Sequence, residues 1–116
     1  MAVLFLTSDL VFSSRLASAG QRLGITVSAI SSIDAAVARM QGEAVKLVIL
    51  DLATGNIDVG TAVPKLREAG NDVRIVAYAP HVHEARLHAA RAAGCDEVLS
   101  RGGFDAHMDD LLLRYA

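Results

Sequence analysis

Apolar residues fall along this chain in short continuous runs, and between the runs they recur every three or four positions. The first run is Ala2-Val3-Leu4-Phe5-Leu6, which shows no alternation and reads as a strand buried on both faces. Thr7-Ser8-Asp9 follows and can cap a helix. Phe12, Leu16, Ala19 and Leu23 then carry helical spacing from about 10 to 23, and Gly24 suits the C-terminal cap. Thr26-Val27-Ser28-Ala29-Ile30 predicts a second strand. Ser31 or Ser32 caps a helix through Ile33, Ala36, Val37 and Met40, stopped at Gly42. A third strand spans about Val45 to Leu50 and ends abruptly on Asp51. The segment Leu52-Ala53-Thr54-Gly55-Asn56 is a loop by composition. Val59, Ala62, Val63, Leu66 and Ala69 carry the next helical period up to Gly70, with Pro64 inside it. That helix either starts late, near Thr61, or is kinked, because an interior proline costs about 3 kcal/mol. Val73 to Tyr78 reads as a fourth strand, and Ala79-Pro80-His81 as a loop. Val82 to Ala93 predicts an alanine-rich helix closed by Gly94. Asp96 to Ser100 forms a short fifth strand whose polar start suits a sheet edge. Phe104, Met108, Leu111, Leu112 and Tyr115 keep helical spacing to the end.

Strand and helix alternate without exception through five units, the pattern of a parallel sheet with helices on both faces. Right-handed crossovers favour the strand order 2-1-3-4-5, an α/β flavodoxin-like arrangement. In that order the chain reverses direction between strands one and three, and the ligand crevice lies at their C-terminal ends. Thr7, Ser8 and Asp9 leave strand one there, and Asp51 leaves strand three. Ala79 and Pro80 leave strand four beside them, and Ser100 and Arg101 leave strand five. A carboxylate that ends a fully buried strand is costly unless it is partnered or used, so Asp51 is the leading site candidate.

Composition narrows the function. The 116 residues suffice for one domain, 1–116, and 53% apolar with 21% charged content argues against disorder. A net charge of −2 gives no basic field for nucleic acid or anionic lipid. No apolar run approaches the roughly 20 residues of a membrane span. The single cysteine, Cys95, leaves no internal disulfide and reads as a buried inert thiol, so a cytoplasmic location is expected. His81, His83 and His88 are read as solvent-facing, since no Cys or acid completes a metal set around them. There is no G-x-S-x-G elbow and no P-loop, and an enzyme is not expected. Thr7-Ser8 with Ser13-Ser14 is hydroxyl-rich in the manner of a flavodoxin phosphate loop. Low aromatic content (4%) and the lack of a Gly-rich turn speak against flavin, and a small-ligand or flavin-binding module stays as a third reading. The last helix ends with the chain, so no output domain is expected in it.

At Leu47-Val48-Ile49-Leu50-Asp51 the chain resembles the receiver domains of bacterial two-component response regulators. Arg67-Glu68-Ala69-Gly70 before strand four and Ala93-Gly94 before strand five extend the resemblance over essentially the whole sequence. The resemblance implies that Asp51 matches the position that accepts a phosphoryl group from a histidine kinase. That reaction brings anion to anion, and Mg²⁺ held by hard oxygens, mainly carboxylates, must neutralise the repulsion. Receivers supply two adjacent acids after strand one; here those positions are the neutral Thr7 and Ser8, with Asp9 offset by one. The phosphate-binding Ser or Thr falls on Ala79, the aromatic switch residue on Val98, and the conserved-type Lys–Pro pair on Arg101 and Gly102. Gly55 stands where the loop after the acceptor carries a proline. Arg keeps the charge but not the geometry of Lys.

One motif position is therefore retained and one substituted with like charge, which reads as a degenerate receiver, or pseudo-receiver. No resident cofactor is expected; Asp9 and Asp51 are weak candidates for Mg²⁺. Arg101 is expected to pair with Asp51 and fill the pocket. The partner implied is a protein, a histidine kinase or another signalling protein, meeting residues 82–116, with a homodimer left open; Leu87, Ala90 and Arg91 are placed off the core side of their helix. The leading function is a signalling interaction module. The alternative is a working phosphoacceptor at Asp51 in a His-Asp phosphorelay, with Asp9 and water holding the metal.

Overall fold

A computed structural model describes residues 2–55, 57–70 and 72–116; Asn56, assigned to the loop after the third strand, lies outside them. The elements are β1 (Ala2–Leu6), α1 (Leu10–Leu23), β2 (Thr26–Ile30), α2 (Ile33–Gly42), β3 (Val45–Asp51), α3 (Val59–Ala69), β4 (Arg74–Ala79), α4 (Glu84–Ala92), β5 (Glu97–Ser100), α5 (Arg101–Ala106) and α6 (Met108–Tyr115). The five strands form one sheet in the order β2-β1-β3-β4-β5, and every pairing is parallel, as the alternation of units predicts.

Successive side chains of a strand point to opposite faces, and both faces of this sheet are covered. Leu4, Leu6, Val48, Leu50, Ile75 and Ala77 pack with Ala36, Val63, Leu66, Leu87 and Ala90 of α2, α3 and α4. Val3, Phe5, Leu47, Ile49, Val76 and Tyr78 pack with Phe12, Leu16, Phe104 and Leu111 of α1, α5 and α6. Double coverage is why the inner strands read as unbroken apolar runs. The edge strands β2 and β5 are only partly buried, and their sequences are correspondingly more polar. No helix among the described residues is long and apolar enough to cross a membrane.

Several boundaries differ from expectation. Helix α3 begins at Val59, capped by the Asp58 carboxylate, and continues through Pro64, so the late start near Thr61 does not occur. The proline leaves the Gly60 carbonyl without its helical donor, and Gly60 is an exposed residue that water can reach. Helix α4 starts at Glu84 rather than Val82, because the His83 amide first closes a turn onto the Pro80 carbonyl (2.9 Å). Strand β4 continues to Ala79, one residue beyond the expected end. The final helix is two helices, broken at His107. It begins at Arg101, where the Ser100 hydroxyl accepts the Gly103 amide at 3.0 Å.

Leu87 and Ala90 are a correction of a different kind. They are 7% and 0% exposed and form the stripe by which α4 packs on the sheet; only Arg91 of that trio faces solvent. In so alanine-rich a helix, Leu87 is the bulkiest apolar residue, and burying it decides which side faces the core.

Two glycines fix how α1 meets β2. Gly24 ends the helix in the left-handed region (φ +73°). Gly20 lies inside the helix, where a Cβ would stand 2.6 Å from both the Ile25 carbonyl oxygen and Val27 Cγ2. Gly20→Ala should therefore destabilise the protein by about 1–3 kcal/mol, although alanine is the better helix former by about 1 kcal/mol. Urea unfolding checks this; an unchanged or raised midpoint would show that α1 can move away from β2 at no cost.

Candidate functional site

At the C-terminal edge of the sheet the strand register sets three polar side chains in a row. Leu6 stands opposite Leu50, which brings Thr7 beside Asp51, and Asp51 stands opposite Tyr78. All three lie on the face shared with Phe5, Ile49 and Val76, because strand side chains alternate with period two. Asp51 is the one charged side chain in the buried set of the described residues, at 7% exposure.

Its two oxygens are engaged by uncharged donors. The Thr7 hydroxyl donates to Oδ2 at 2.6 Å, and the Ala53 amide donates to Oδ1 at 3.0 Å. The loop that follows is tied down around it. The Leu52 amide donates to the Tyr78 carbonyl (2.9 Å) and the Thr54 amide to the Asp51 carbonyl (3.0 Å). The Ser8 amide donates to the Thr54 hydroxyl (3.0 Å), and Arg86 of α4 donates to the Leu52 carbonyl (2.8 Å).

Asp9 is used differently. Its Oδ1 accepts the amides of Val11 (2.9 Å) and Phe12 (3.1 Å), capping α1. Its Oδ2 accepts a 2.8 Å hydrogen bond from Arg101, and its own amide donates to the Thr7 hydroxyl oxygen at 2.9 Å. Thr7 thus links the two acids. Arg101 does not pair with Asp51, contrary to expectation. Its guanidinium, half exposed, lies 4.7 Å from the centre of the Phe12 ring and turns to Asp9. The physical reason is that Asp9 stands at the rim, whereas Asp51 lies deeper, with both oxygens already engaged by hydrogen-bond donors.

The remaining predicted positions are not part of this row. Ser8 sits exposed at the rim. Ala79 closes β4 opposite Ser100, and both Ala79 and Val98 pack on the other face of the sheet, towards α3 and α4. Tyr78 was not among the residues the sequence singled out. Its signal was a polar ring tip in an otherwise apolar strand, two positions beyond Val76 and on the same face as Asp51. Burial, then the Asp51 charge, hold its hydroxyl well above the usual tyrosine range. Burial likewise pushes the Cys95 thiol up to about 11, so it stays protonated near neutral pH.

A Mg²⁺ ion needs several oxygen ligands in near-octahedral array. Asp51 offers one carboxylate already bonded to Thr7 and Ala53, and Asp9 is bonded to two amides and a cation. No cluster of three or more His, Cys, Asp or Glu side chains able to hold a metal is found among the described residues. The residues as placed do not fit the ion that the resemblance implies.

No protein-family model and no curated protein matches the chain in sequence. Solved structures do match in shape. The signal receiver domain of a response regulator from Bermanella marisrubri superposes with a TM-score of 0.82 at 17% identity, over 98% of this chain and 96% of that one. The receiver domain of the TMAO respiratory system response regulator TorR gives 0.81 at 21% identity, over 99% and 98%. The receiver domain of a sensor histidine kinase from Pseudomonas aeruginosa PAO1, solved with magnesium coordinated in its active-site cleft, gives 0.80 at 19% identity, over 98% and 95%. Strand order, element lengths and these superpositions agree: the chain has the fold of a response regulator receiver domain.

Proposed function

We propose that this chain is a two-component-type signalling module held in one conformation. It works by docking a signalling protein, a histidine kinase or another, and phosphorylation at Asp51 is weak or absent. The observation that carries the reading is the engagement of Asp9. Asp9, linked to Asp51 through Thr7, is bonded to the first turn of α1 and to Arg101, so it is not free to help bind a cation beside Asp51. Without that cation, transfer of a phosphoryl group onto a carboxylate meets unrelieved repulsion of like charges. On this reading the chain is not an enzyme and acts in the cytoplasm. The docking face is residues 82–116, where Val82 and Leu113 are the exposed large apolar side chains.

The test is an NMR titration with Mg²⁺ and then beryllofluoride, on wild type and on Asp51→Asn. The expected result is no site-specific response in either protein. Shifts at Asp9, Asp51 and Ala79 in wild type alone would establish a working phosphoacceptor and overturn the fixed-state reading. An absorbance spectrum of the purified protein separates both from the flavin alternative, for which flavin bands would have to appear.

The Asp9–Arg101 arrangement carries its own prediction. Asp9→Ala removes a helix cap that serves two amides and should cost about 1–2 kcal/mol. Arg101→Ala breaks a half-exposed ion pair and a contact of the guanidinium with the Phe12 ring, and should cost no more than about 1–2 kcal/mol. Urea denaturation of both variants decides it. A loss of several kcal/mol in Arg101→Ala would mean that Arg101 compensates the buried charge of Asp51 after all.

A further inference from the structure

The Tyr78 hydroxyl is one of two buried side-chain polar atoms without a hydrogen-bond partner among the described residues; the other is Nδ1 of His83. The residue is 1% exposed. Its ring is fixed by a parallel stack on Phe104 (centroids 4.2 Å apart, planes at 4°) and by Phe12 and Phe5 at 5.9 and 6.1 Å. Phenylalanine would fill this stack equally well, without burying a hydroxyl at a cost. The polar groups that act on the phenol are Thr7, Asp51 and Asp9, all at the C-terminal edge of the sheet. Of these, Asp51 is its direct cross-strand neighbour.

We infer that Tyr78 is a positioning residue for Asp51, and that its hydroxyl and that of Thr7 form a two-sided clamp on the carboxylate, Thr7 from the β1 side and Tyr78 from the β4 side. The clamp holds the charge and the rotamer of Asp51 with neutral dipoles, in a place where Arg101 does not reach. In this structure the Tyr78 hydroxyl makes no hydrogen bond; closing the clamp takes a shift of the ring tip or of the Asp51 carboxylate that brings the two oxygens into bonding geometry. The aromatic surroundings strengthen such a bond, because a hydrogen bond to a charged oxygen is worth more where water is excluded. The charged groups at this edge are Asp9, whose negative charge opposes that of Asp51, and Arg101, which is drawn to Asp9. Neutral donors, the Ala53 amide and the two hydroxyls, therefore carry the stabilisation of Asp51. The phenol stays protonated, and so remains a donor, throughout the neutral range. This inference concerns the surroundings of Asp51 whatever the chain docks with, and it stands or falls separately from the signalling reading.

The test is a double-mutant cycle of Tyr78→Phe and Asp51→Ala, read as unfolding equilibrium constants. With Asp51 present, Tyr78→Phe should weaken folding about tenfold. In the Asp51→Ala background the same change should have little effect. An equal effect of Tyr78→Phe in both backgrounds, of either sign or none, would show that the hydroxyl is merely buried and would overturn the clamp. A second measurement does not depend on the Asp51→Ala protein folding. In a Tyr115→Phe background, which removes the phenol bonded to Glu97, the Tyr78 hydroxyl proton should appear as a slowly exchanging NMR resonance. That resonance should vanish in Tyr78→Phe and shift in Asp51→Asn. Its absence, or its indifference to Asp51→Asn, would overturn the clamp.

Discussion

A single negative charge at the end of a strand buried on both faces is the constraint around which this structure is arranged. Leu47 to Leu50 are fully buried, and the next residue carries a carboxylate that cannot leave the sheet edge. Burying a charge without hydrogen bonds is far more costly than any one contact can repay. The chain meets that cost locally. Thr7 and the Ala53 amide supply two donors, and the Thr54 and Leu52 amides fold the following loop back onto β3 and β4. The same requirement sets the turn after β1, since the Thr7 hydroxyl that donates to Asp51 also accepts from the Asp9 amide. Asp9 is thereby delivered to the first turn of α1, where a carboxylate complements the helix dipole.

The site is coupled outward through two arginines. Arg101 begins α5, spreads over Phe12 and binds Asp9, so α1 and α5 share one charged contact at the mouth. Arg86 reaches from α4 to the carbonyl of Leu52, the residue after Asp51. Movement of the Asp51 loop would strain the α4 contact, which lies on the segment proposed to meet a partner. Below the mouth, Phe5, Phe12, Tyr78 and Phe104 form a continuous aromatic floor. With only 4% aromatic residues in the chain, three phenylalanines and one of its two tyrosines meet here.

The fold was legible because period and punctuation agree along the sequence. Strand order followed from five alternating units and from the handedness of crossovers, and the position of Asp51 followed from the abrupt end of an apolar run. Boundaries failed where tertiary context outweighs propensity. Pro64 is tolerated because the carbonyl it abandons belongs to an exposed residue, Gly60, and α4 is shortened because Pro80 to His83 close a turn first. Leu87 was placed on the wrong side because an alanine-rich helix has little amphipathic contrast to orient it. Within the site, charge alone suggested joining Arg101 to Asp51. Depth decided otherwise, since Arg101 meets Asp9 at the rim before it can reach the deeper acid. Tyr78 escaped notice because a tyrosine inside a strand reads as core, and only the cross-strand register shows that it adjoins the acid.

The residues around Asp51 make physical sense as a set. Two carboxylates after β1 would crowd a third at Asp51 and need a cation to hold the three together. A threonine there removes that repulsion and adds a donor, so Asp51 is stable on neutral hydrogen bonds. With Asp51 held by such donors, Arg101 after β5 bonds Asp9 and joins α1 to α5. Asp51 is thus a buried charge held by neutral donors. The loop after β3 and the first residues of α4 follow from it, through the Leu52 and Thr54 amides and the Arg86 bond to the Leu52 carbonyl.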